Sequence, residues 1–456
     1  MTQKSAWWVA GVFLLLCTIL DQWGDTNTRS RLALLNSIRE DQSFSIDHYK
    51  EWTIDWARTP DGRYYSNKAP GPVFLALPLF FLIDSLVIPS GTERSQRDRL
   101  RAVYSERVSQ ALSLILQVIP FLLVFCWAGR LLRASAVSPS GEAFFAIAFL
   151  LGSTVTIFLN TFFGHGLAAV FATALLLSLL DRRWFLAGTF FGWGLLSDYG
   201  SGLFLFGALI LVWAQPAKER WRAILKFLLG GVVPGTLWVY YHASSFGGVL
   251  SLPNRFQNPD FVETGRVAEG WGIFQAYPDP AALFQLLFGP IRGILFTQPW
   301  LLIVLALIPA FLKTSGGQGA GRKIALFSGL GFLLLLLMNA SFINWHAGGS
   351  PGPRYLCAIF PNLAILGAFC WDRWPRARRP LIIGLALTLL FNSLVFGSHR
   401  IQNPENVWVW LYFASQVFTT SARMPLIRWG IFLVLTGVIL IRAYGVVGDK
   451  SVLRQK

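Results

Sequence analysis

The chain has 456 residues, of which 54% are hydrophobic and 14% charged, and its mean hydropathy is +0.51. This balance excludes a soluble globular protein, because so few charged residues cannot cover the surface of a soluble chain of this size. The formal charge of +16 does not indicate nucleic-acid binding, because the Lys and Arg residues are spread over short segments between apolar runs, as in the cytoplasmic loops of polytopic membrane proteins.

The first apolar run, residues 6–22, follows Lys4 and predicts a membrane-spanning helix with a cytoplasmic N-terminus. Its order of charges resembles a signal peptide, but no small-x-small cleavage site follows it. We therefore expect a retained first span.

The polar segment 21–72 comes next and is dense in reactive groups. Leu32, Leu35 and Ile38 fall on one helical face, which predicts an interfacial helix lying on the membrane. Asp25 follows the first span directly and Lys68 precedes the next apolar segment, so both are expected at the same membrane boundary. A carboxylate and an ammonium held there suit a reaction that takes a proton from one group and places negative charge on another.

The apolar segment 71–89 contains three prolines and an aspartate. If it crossed the membrane, the basic loops at 181–183, 218–222 and 373–379 would all face outward. If it does not cross, all three lie in the cytoplasm, as the distribution of Lys and Arg in short loops demands. We therefore expect a re-entrant or surface-lying segment on the outer side.

The chain is thus predicted to be an all-α bundle of about twelve spans with both ends in the cytoplasm. The predicted spans are residues 6–22, 106–129, 143–160, 165–180, 184–198, 200–214, 224–243, 293–312, 324–341, 355–371, 380–397 and 425–443. They divide into a membrane module at 1–243 with a first outer loop at 22–107, an outer loop at 244–292, and C-terminal spans at 293–456 with an outer loop at 398–424. No internal repeat is evident, which weighs against transporters built from duplicated halves.

The cysteines are predicted to be buried apolar side chains. Cys17, Cys126, Cys357 and Cys370 all lie in apolar runs, without paired spacing or neighbouring histidines. Neither a disulfide nor a zinc site is therefore expected.

In this topology the distinctive polar residues outside the basic loops all fall on the outer side. They are Asp25, Asn27, Arg29, Asp47, Asp55, Asp61, Tyr64, Tyr65 and Lys68 in the first loop, and Asn160, His165, Asp198, Tyr199, Arg292, Asn344, Trp345, His346 and Arg354 in later loops. If these loops converge, they form a single site at the outer leaflet.

Several strings in these loops carry a family resemblance. D-T-N-T-R-S-R-L, I-D-x-Y, T-x-D and G-R-Y-Y-S-N-K-A-P-G occur in the first outer loop, and W-x-x-G-G-S-x-G-P-R-Y occurs at 345–355. Together they resemble bacterial members of the GT-C superfamily, which are polyprenyl-phosphate-dependent glycosyltransferases related to the protein O-mannosyltransferases and lipid A aminoarabinose transferases. The resemblance covers most of the chain and is strongest over 25–71.

The resemblance implies a helical bundle with interfacial helices in the first outer loop, in the plasma (inner) membrane. It implies transfer of a sugar from a polyprenyl-phosphate donor to a lipid, glycan or protein acceptor on the extracytoplasmic side. Asp25 would accept the proton of the attacking hydroxyl in an inverting reaction, and Lys68 would hold the donor phosphate. Further candidates for the phosphate are Arg354, Arg292 and Arg29, and candidates for the substrate pocket are Asn27, Asp55, Tyr64, Tyr65, His165, Asp198 and His346.

The sequence departs from some relatives at the second outer loop. An acidic residue that helps to bind a divalent metal often lies there, but this chain has Asn160 and His165. No cofactor is therefore certain, and a divalent metal stays an open possibility.

Each assignment has a simpler alternative. Asp25 could only cap the following helix, and Lys68 could be a lysine whose stem lies along the membrane. Asp47, Asp55 and Asp61 could fix loop turns. His165 could be a hydrogen-bonded interior histidine, and Arg354 could only anchor a helix end.

A different class of function is a transporter or flippase for a lipid-linked or anionic solute. Such proteins carry charged or broken helices near the middle of the membrane. Here the predicted spans are nearly free of charge and the acidic groups lie at their ends, which favours an enzyme at the membrane surface. A non-catalytic scaffold is a third, weaker alternative.

Overall fold

A computed structural model describes residues 3–20, 25–261, 274–313, 319–399, 407–419 and 423–448. Parts of the predicted outer loops 22–107, 244–292 and 398–424 lie outside these ranges. The helices are α1 Gln3–Ile19, α2 Thr26–Asp41, α3 Gly71–Val87, α4 Arg94–Ser113, α5 Ile119–Ala134, α6 Pro139–Leu150, α7 Val155–Leu159, α8 Gly164–Leu180, α9 Trp184–Ser197, α10 Phe204–Trp213, α11 Ala217–Phe246, α12 Pro280–Phe288, α13 Ile294–Thr297, α14 Pro299–Lys313, α15 Ala320–Ala340, α16 Phe360–Arg373, α17 Arg378–Ser398, α18 Val409–Phe418 and α19 Met424–Gly448. Two strands, β1 Trp56–Arg58 and β2 Tyr64–Ser66, pair antiparallel.

Among the described residues, six helical segments are long and apolar enough to cross a membrane. They are Arg94–Ala134, Ala217–Phe246, Ala320–Ala340, Arg354–Arg373, Pro375–Ser398 and Met424–Arg442. Several shorter apolar helices, such as α1, α3 and α8, accompany them. The chain is therefore a multi-pass membrane protein. The count of twelve spans and the placement of 71–89 on the outer side stay predictions.

The helix through α4 and α5 begins earlier than the sequence predicts. It runs unbroken over Arg94–Ala134, through a π-helical turn at Leu114–Val118, whereas the predicted span begins at residue 106. Its polar first turns are held by ion pairs to neighbouring helices. The Arg101 guanidinium lies 2.8 Å from the Asp84 carboxylate of α3 and 2.7 Å from the Glu40 carboxylate of α2. These ion pairs neutralise charged residues in the first turns of α4. Their low hydropathy made the sequence-based prediction place this stretch in a loop.

The predicted helix in the first outer loop is confirmed as α2, but it is more enclosed than expected. Arg31 is buried, whereas Ile38, on the predicted apolar face, is only half-buried. The hairpin β1–β2 covers the polar face of α2. The Ser30 hydroxyl lies 2.6 Å from the Asp55 carbonyl oxygen and 2.7 Å from the Ser66 hydroxyl.

The sequence-based interpretation missed this hairpin. Its turn passes through Asp61 and Gly62, and the positive φ of Gly62, 87°, is a conformation that glycine adopts without strain. An Asp-Gly pair between two short runs rich in aromatic residues is a hairpin signal that was available in the sequence.

Close backbone contacts with the end of α9 position the starts of α3 and α8. A Cβ atom added to Gly71, at the start of α3, would lie 2.7 Å from the Ser197 nitrogen at the end of α9. A Cβ atom added to Gly164, at the start of α8, would lie 2.0 Å from the Ser197 carbonyl oxygen. Because both glycines lack a side chain, three elements meet directly beside Asp198.

Candidate active site

The segment 27–69 and the ends of several helices line a cavity of 590 Å³. This is within the size range of small-molecule sites in proteins. Its walls include the side chains of Asn27, Arg31, Asp55, Asn67, Lys68, His165, Asp198, Tyr199, Asn254, Gln257, Asp260, Met338, Asn339, Phe342, Asn344, His346, Arg354 and Tyr355. Seven of the predicted site residues therefore line one cavity: Asn27, Asp55, Lys68, His165, Asp198, His346 and Arg354.

Lys68 and Asp55 form an ion pair in this wall. The Lys68 Nζ atom lies 2.9 Å from Asp55 Oδ1, and the two side chains are 18% and 11% exposed. Asp55 Oδ2 accepts a hydrogen bond of 3.0 Å from the Thr26 hydroxyl. Burial favours a higher pKa for Asp55, but the Lys68 ammonium and the Thr26 hydrogen bond hold that pKa below its usual value. Asp55 is therefore a charged partner that fixes the position of the Lys68 ammonium.

Two guanidinium groups, those of Arg31 and Arg354, also line the cavity. Arg31 Nη1 donates a hydrogen bond of 3.2 Å to the Asn27 carbonyl oxygen and another to Asn27 Oδ1. The Arg354 guanidinium lies 5.4 Å from the centre of the Tyr355 ring. Neither arginine forms an ion pair with a carboxylate within the described ranges. The cavity thus contains two cations that have no direct anionic partner in this part of the chain.

The positive charges of Arg31, Arg354 and Lys68 are close enough to act on one another. Burial lowers the pKa of Arg31 to about 10, a value at which it is still charged at neutral pH. Burial also lowers the pKa of Lys68, and the nearby Arg354 and Arg31 lower it further, against the opposing effect of Asp55. An anionic ligand would relieve this repulsion between cations.

On another wall, His165 and Asp198 are hydrogen-bonded at 2.7 Å between Nδ1 and Oδ2. Asp198 Oδ1 also accepts a hydrogen bond of 3.1 Å from the Gly200 amide, which fixes the loop between α9 and α10. Burial favours a higher pKa for Asp198, but the bond to His165 brings the pKa below its usual value. The edge-to-face contact of His165 with Tyr355, at 5.6 Å between ring centres, links this wall to the segment that carries Arg354.

Asp25 lies at the N-cap of α2 rather than among the residues that line the cavity. Its Oδ1 atom accepts a hydrogen bond of 2.9 Å from the Asn27 amide, and the residue is only 7% exposed. The capping role considered from the sequence is thus present. The Asp25 carboxylate also contributes to the electrostatic environment of Arg31 and Arg354, which both line the cavity.

The structure places four further predicted residues elsewhere. Arg29 is exposed on α2. Tyr64 packs edge-to-face on Trp56 at 5.0 Å, and Tyr65 is buried against Phe246. Arg292 is buried and its Nε atom donates a hydrogen bond of 3.2 Å to the Ser350 carbonyl oxygen. None of the four lines the cavity, and Arg292 instead holds the segment that leads to Arg354.

Several lining residues were not predicted from the sequence, among them Arg31, Asn67 and Asn339. Arg31 lies off the predicted apolar face of α2, and its spacing of four from Asn27 allows the hydrogen bonds observed. Asn67 directly precedes Lys68 in the S-N-K string. Asn339 lies at the end of an apolar run, where a polar residue in a membrane helix is itself a functional signal.

No group of three His, Cys, Asp or Glu side chains within the described ranges lies close enough together to hold a metal ion. Asn160 donates hydrogen bonds of 2.9 Å to the Thr156 carbonyl oxygen and 3.4 Å to the Cys17 sulfur. We therefore assign no step of the chemistry to a metal.

No protein-family model and no curated protein matches the sequence. The structure, however, is similar to that of ArnT from Cupriavidus metallidurans bound to undecaprenyl phosphate, with a TM-score of 0.54 and 15% identity over 98% of this chain and 78% of the ArnT chain. The apo state of the same protein aligns at a TM-score of 0.50 and 16% identity over 97% and 78% of the two chains. The arabinosyltransferase EmbB from Mycobacterium smegmatis aligns at 0.46 and 11% identity, over 98% of this chain and 43% of EmbB. The two ArnT alignments confirm the predominantly helical, GT-C-like fold predicted from the sequence.

Proposed function

We propose that the protein is an integral-membrane glycosyltransferase that transfers a sugar from a polyprenyl-phosphate donor to a lipid, glycan or protein acceptor. The observation that carries the proposal is the pair of guanidinium groups, Arg31 and Arg354, beside the Lys68 ammonium in one cavity. Arginine binds phosphate oxygens through two parallel hydrogen bonds, and a lysine adds a compact point charge. The similar fold of ArnT, a protein solved with undecaprenyl phosphate, supports a lipid-linked phosphate as the anion.

In the proposed reaction a hydroxyl oxygen of the acceptor attacks the anomeric carbon of the sugar. The bond between that carbon and the phosphate oxygen breaks, and the polyprenyl phosphate leaves with the electron pair. Lys68, Arg31 and Arg354 stabilise the negative charge that develops on the phosphate. Attack from the face opposite the phosphate inverts the configuration at the anomeric carbon.

Asp25 is the proposed acceptor of the hydroxyl proton. The Asp25 carboxylate interacts electrostatically with Arg31 and Arg354, and a carboxylate near the phosphate-binding cations can take this proton as the new bond forms. Asp55 is less suited to the task, because its charge is already engaged by Lys68 at 2.9 Å. We place the reaction on the extracytoplasmic side of the plasma membrane, because the basic loops then face the cytoplasm.

The proposal is tested by incubating the purified protein in lipid bilayers with a panel of undecaprenyl-phosphate-linked sugars and a membrane lipid extract. We expect release of undecaprenyl phosphate and labelled acceptor from at least one donor. Arg354→Met and Arg31→Met should each reduce this release at least tenfold, because a charged hydrogen bond contributes about 1.5–3 kcal/mol.

Arg255→Met is the matched control. Arg255 is exposed and neighbours two lining residues, Asn254 and Gln257, without lining the cavity itself. It should leave sugar transfer unchanged. Equal loss in Arg255→Met and Arg354→Met would contradict the phosphate site. Movement of the intact lipid-linked sugar across liposomes without transfer would instead identify a transporter.

A further inference from the structure

The cavity walls contain six buried polar atoms that have no hydrogen-bond partner within the described ranges. Two are Nε atoms of the guanidinium groups of Arg31 and Arg354. Three more belong to carboxamides: Oδ1 of Asn67, and both Oδ1 and Nδ2 of Asn339. The sixth is the hydroxyl oxygen of Ser197, at the end of α9. Asn67 is 7% exposed and Asn339 only 1% exposed. Buried polar atoms are rarely left unpaired in native proteins, so these six indicate a ligand or water that supplies their partners.

The unpaired donor atoms and the unpaired acceptor atoms need different hydrogen-bond partners. The arginine Nε atoms are donors, and phosphate oxygens satisfy them. The two Oδ1 atoms are acceptors, and an ionised phosphate has no hydrogen to donate. Hydroxyl groups both donate and accept, so they can satisfy the Asn339 amide at both atoms. In a polyprenyl-phosphate sugar, only the sugar offers hydroxyl groups.

We propose that Asn67 and Asn339 bind the hydroxyl groups of the transferred sugar and thereby select for it. This inference rests on the proposed function and names the part of the same cavity that recognises the sugar. The phosphate-binding cations and the two carboxamides then divide the cavity into a phosphate end and a sugar end.

The positions of Asn67 and Asn339 in the chain are consistent with a phosphate end and a sugar end that adjoin each other. A sugar is attached directly to its phosphate, so the side chains that bind its hydroxyl groups must adjoin those that bind the phosphate. Asn67 directly precedes Lys68 in the connection between β2 and α3. Asn339 approaches from another element, the last turn of α15, beside the loop that carries Asp198. The packing of Met338 on this loop, 3.1 Å from a Cβ atom added to Gly200, shows how close the two elements are.

The chain offers a matched control. Asn362 on α16 is fully buried, and both its amide atoms also lack a partner within the described ranges. It does not line the cavity. A substitution of Asn362 therefore removes an unpaired buried carboxamide without touching the proposed sugar end.

The experiment measures binding to the purified protein in lipid bilayers of undecaprenyl phosphate and of a panel of undecaprenyl-phosphate-linked hexoses and pentoses. The wild-type protein should bind at least one sugar-linked lipid about tenfold more tightly than undecaprenyl phosphate, since hydrogen bonds that leave buried groups paired are worth about that factor. Asn339→Leu should lose this preference and bind undecaprenyl phosphate within about twofold of wild type. Asn362→Leu should keep both affinities.

If Asn339→Leu does not fold, Asn67→Ala in the outer loop serves the same purpose and should also lose the preference. A sugar preference that survives in the variant would overturn the assignment, as would a wild-type protein with no preference for any sugar of the panel. Equal weakening of both lipids would show a merely structural role and overturn it too. Failure of the wild-type protein to bind undecaprenyl phosphate itself is a different result, which would remove the proposed function along with this inference.

Discussion

Asp25 combines two roles that different substitutions separate. Asparagine caps a helix about as well as aspartate, so Asp25→Asn should leave α2 and the melting temperature unchanged. It removes the proton acceptor, and we expect transfer to fall by about 10²–10⁴-fold, the usual contribution of a general base. Asp25→Ala should lose transfer as well and destabilise the protein by about 1 kcal/mol through the lost cap. Undiminished transfer in Asp25→Asn would reduce Asp25 to a capping residue.

The ion pair between Lys68 and Asp55 predicts a stability effect that is separable from ligand binding. Lys68→Met leaves the largely buried Asp55 carboxylate without its partner, and such losses cost about 3–5 kcal/mol. The double variant Asp55→Asn/Lys68→Met should regain most of this stability in thermal unfolding, because neither buried charge is left. It should not regain binding of undecaprenyl phosphate. Wild-type binding by the double variant would exclude Lys68 as a phosphate ligand.

The same pair predicts a pH dependence. The pKa of Asp55 is lower in the folded protein than its unfolded value of about 3.9. The stability that it contributes is therefore complete above that unfolded value and is lost as the pH falls through the lower folded pKa. The difference in melting temperature between wild type and Asp55→Asn should stay constant from about pH 8 to pH 5 and shrink only below about pH 4. A difference that already shrinks between pH 7 and pH 5 would mean that burial raises this pKa.

At the scale of elements, the contact between α8 and the end of α9 positions the pair His165 and Asp198. A methyl group at residue 164 would overlap the Ser197 carbonyl oxygen, since an added Cβ atom lies only 2.0 Å from it. Gly164→Ala should therefore move α8, cost about 1–3 kcal/mol and reduce sugar transfer.

Gly235→Ala on α11 is the control for this substitution. A Cβ atom at residue 235 has no neighbour within 4 Å, and alanine favours a helix over glycine. This variant should be as stable as wild type or slightly more so, with unchanged transfer. If Gly164→Ala behaved in the same way, the close approach of α8 and α9 would not be needed for the site.

The elements also show where sequence-based prediction stops. Apolar periodicity located α2, but not the burial of Arg31, because the cover over its polar face comes from a hairpin some 30 residues further along the chain. Tyr64 and Tyr65 were assigned to the pocket as part of a motif. In the observed hairpin, successive side chains point to opposite faces, so Tyr65 packs on Phe246 and Tyr64 on Trp56. Trp56 lies on the paired strand of the same hairpin, but Phe246 comes from the end of α11 and does not follow from local sequence.

For the whole molecule, composition and hydropathy predicted the class of fold well, because the need to satisfy backbone groups in lipid allows few alternatives to helices. The family resemblance gave the first outer loop and the G-P-R-Y string as parts of one site, and Asp55, Lys68 and Arg354 do line one cavity. The resemblance did not predict that Asn339 lines the cavity, because this residue lies in an apolar helix outside the family strings. Which polar residues in the spans face a cavity depends on helix packing between distant segments.

The central claim is that this cavity holds the phosphate of a polyprenyl lipid, and a structure of the protein in lipid bilayers with undecaprenyl phosphate tests it most directly. We predict phosphate oxygens within about 3 Å of Lys68 Nζ and of the guanidinium groups of Arg31 and Arg354. Phosphate bound away from these three groups, for example among Arg130 and Arg133 in the separate groove that also contains Trp7, would contradict the claim.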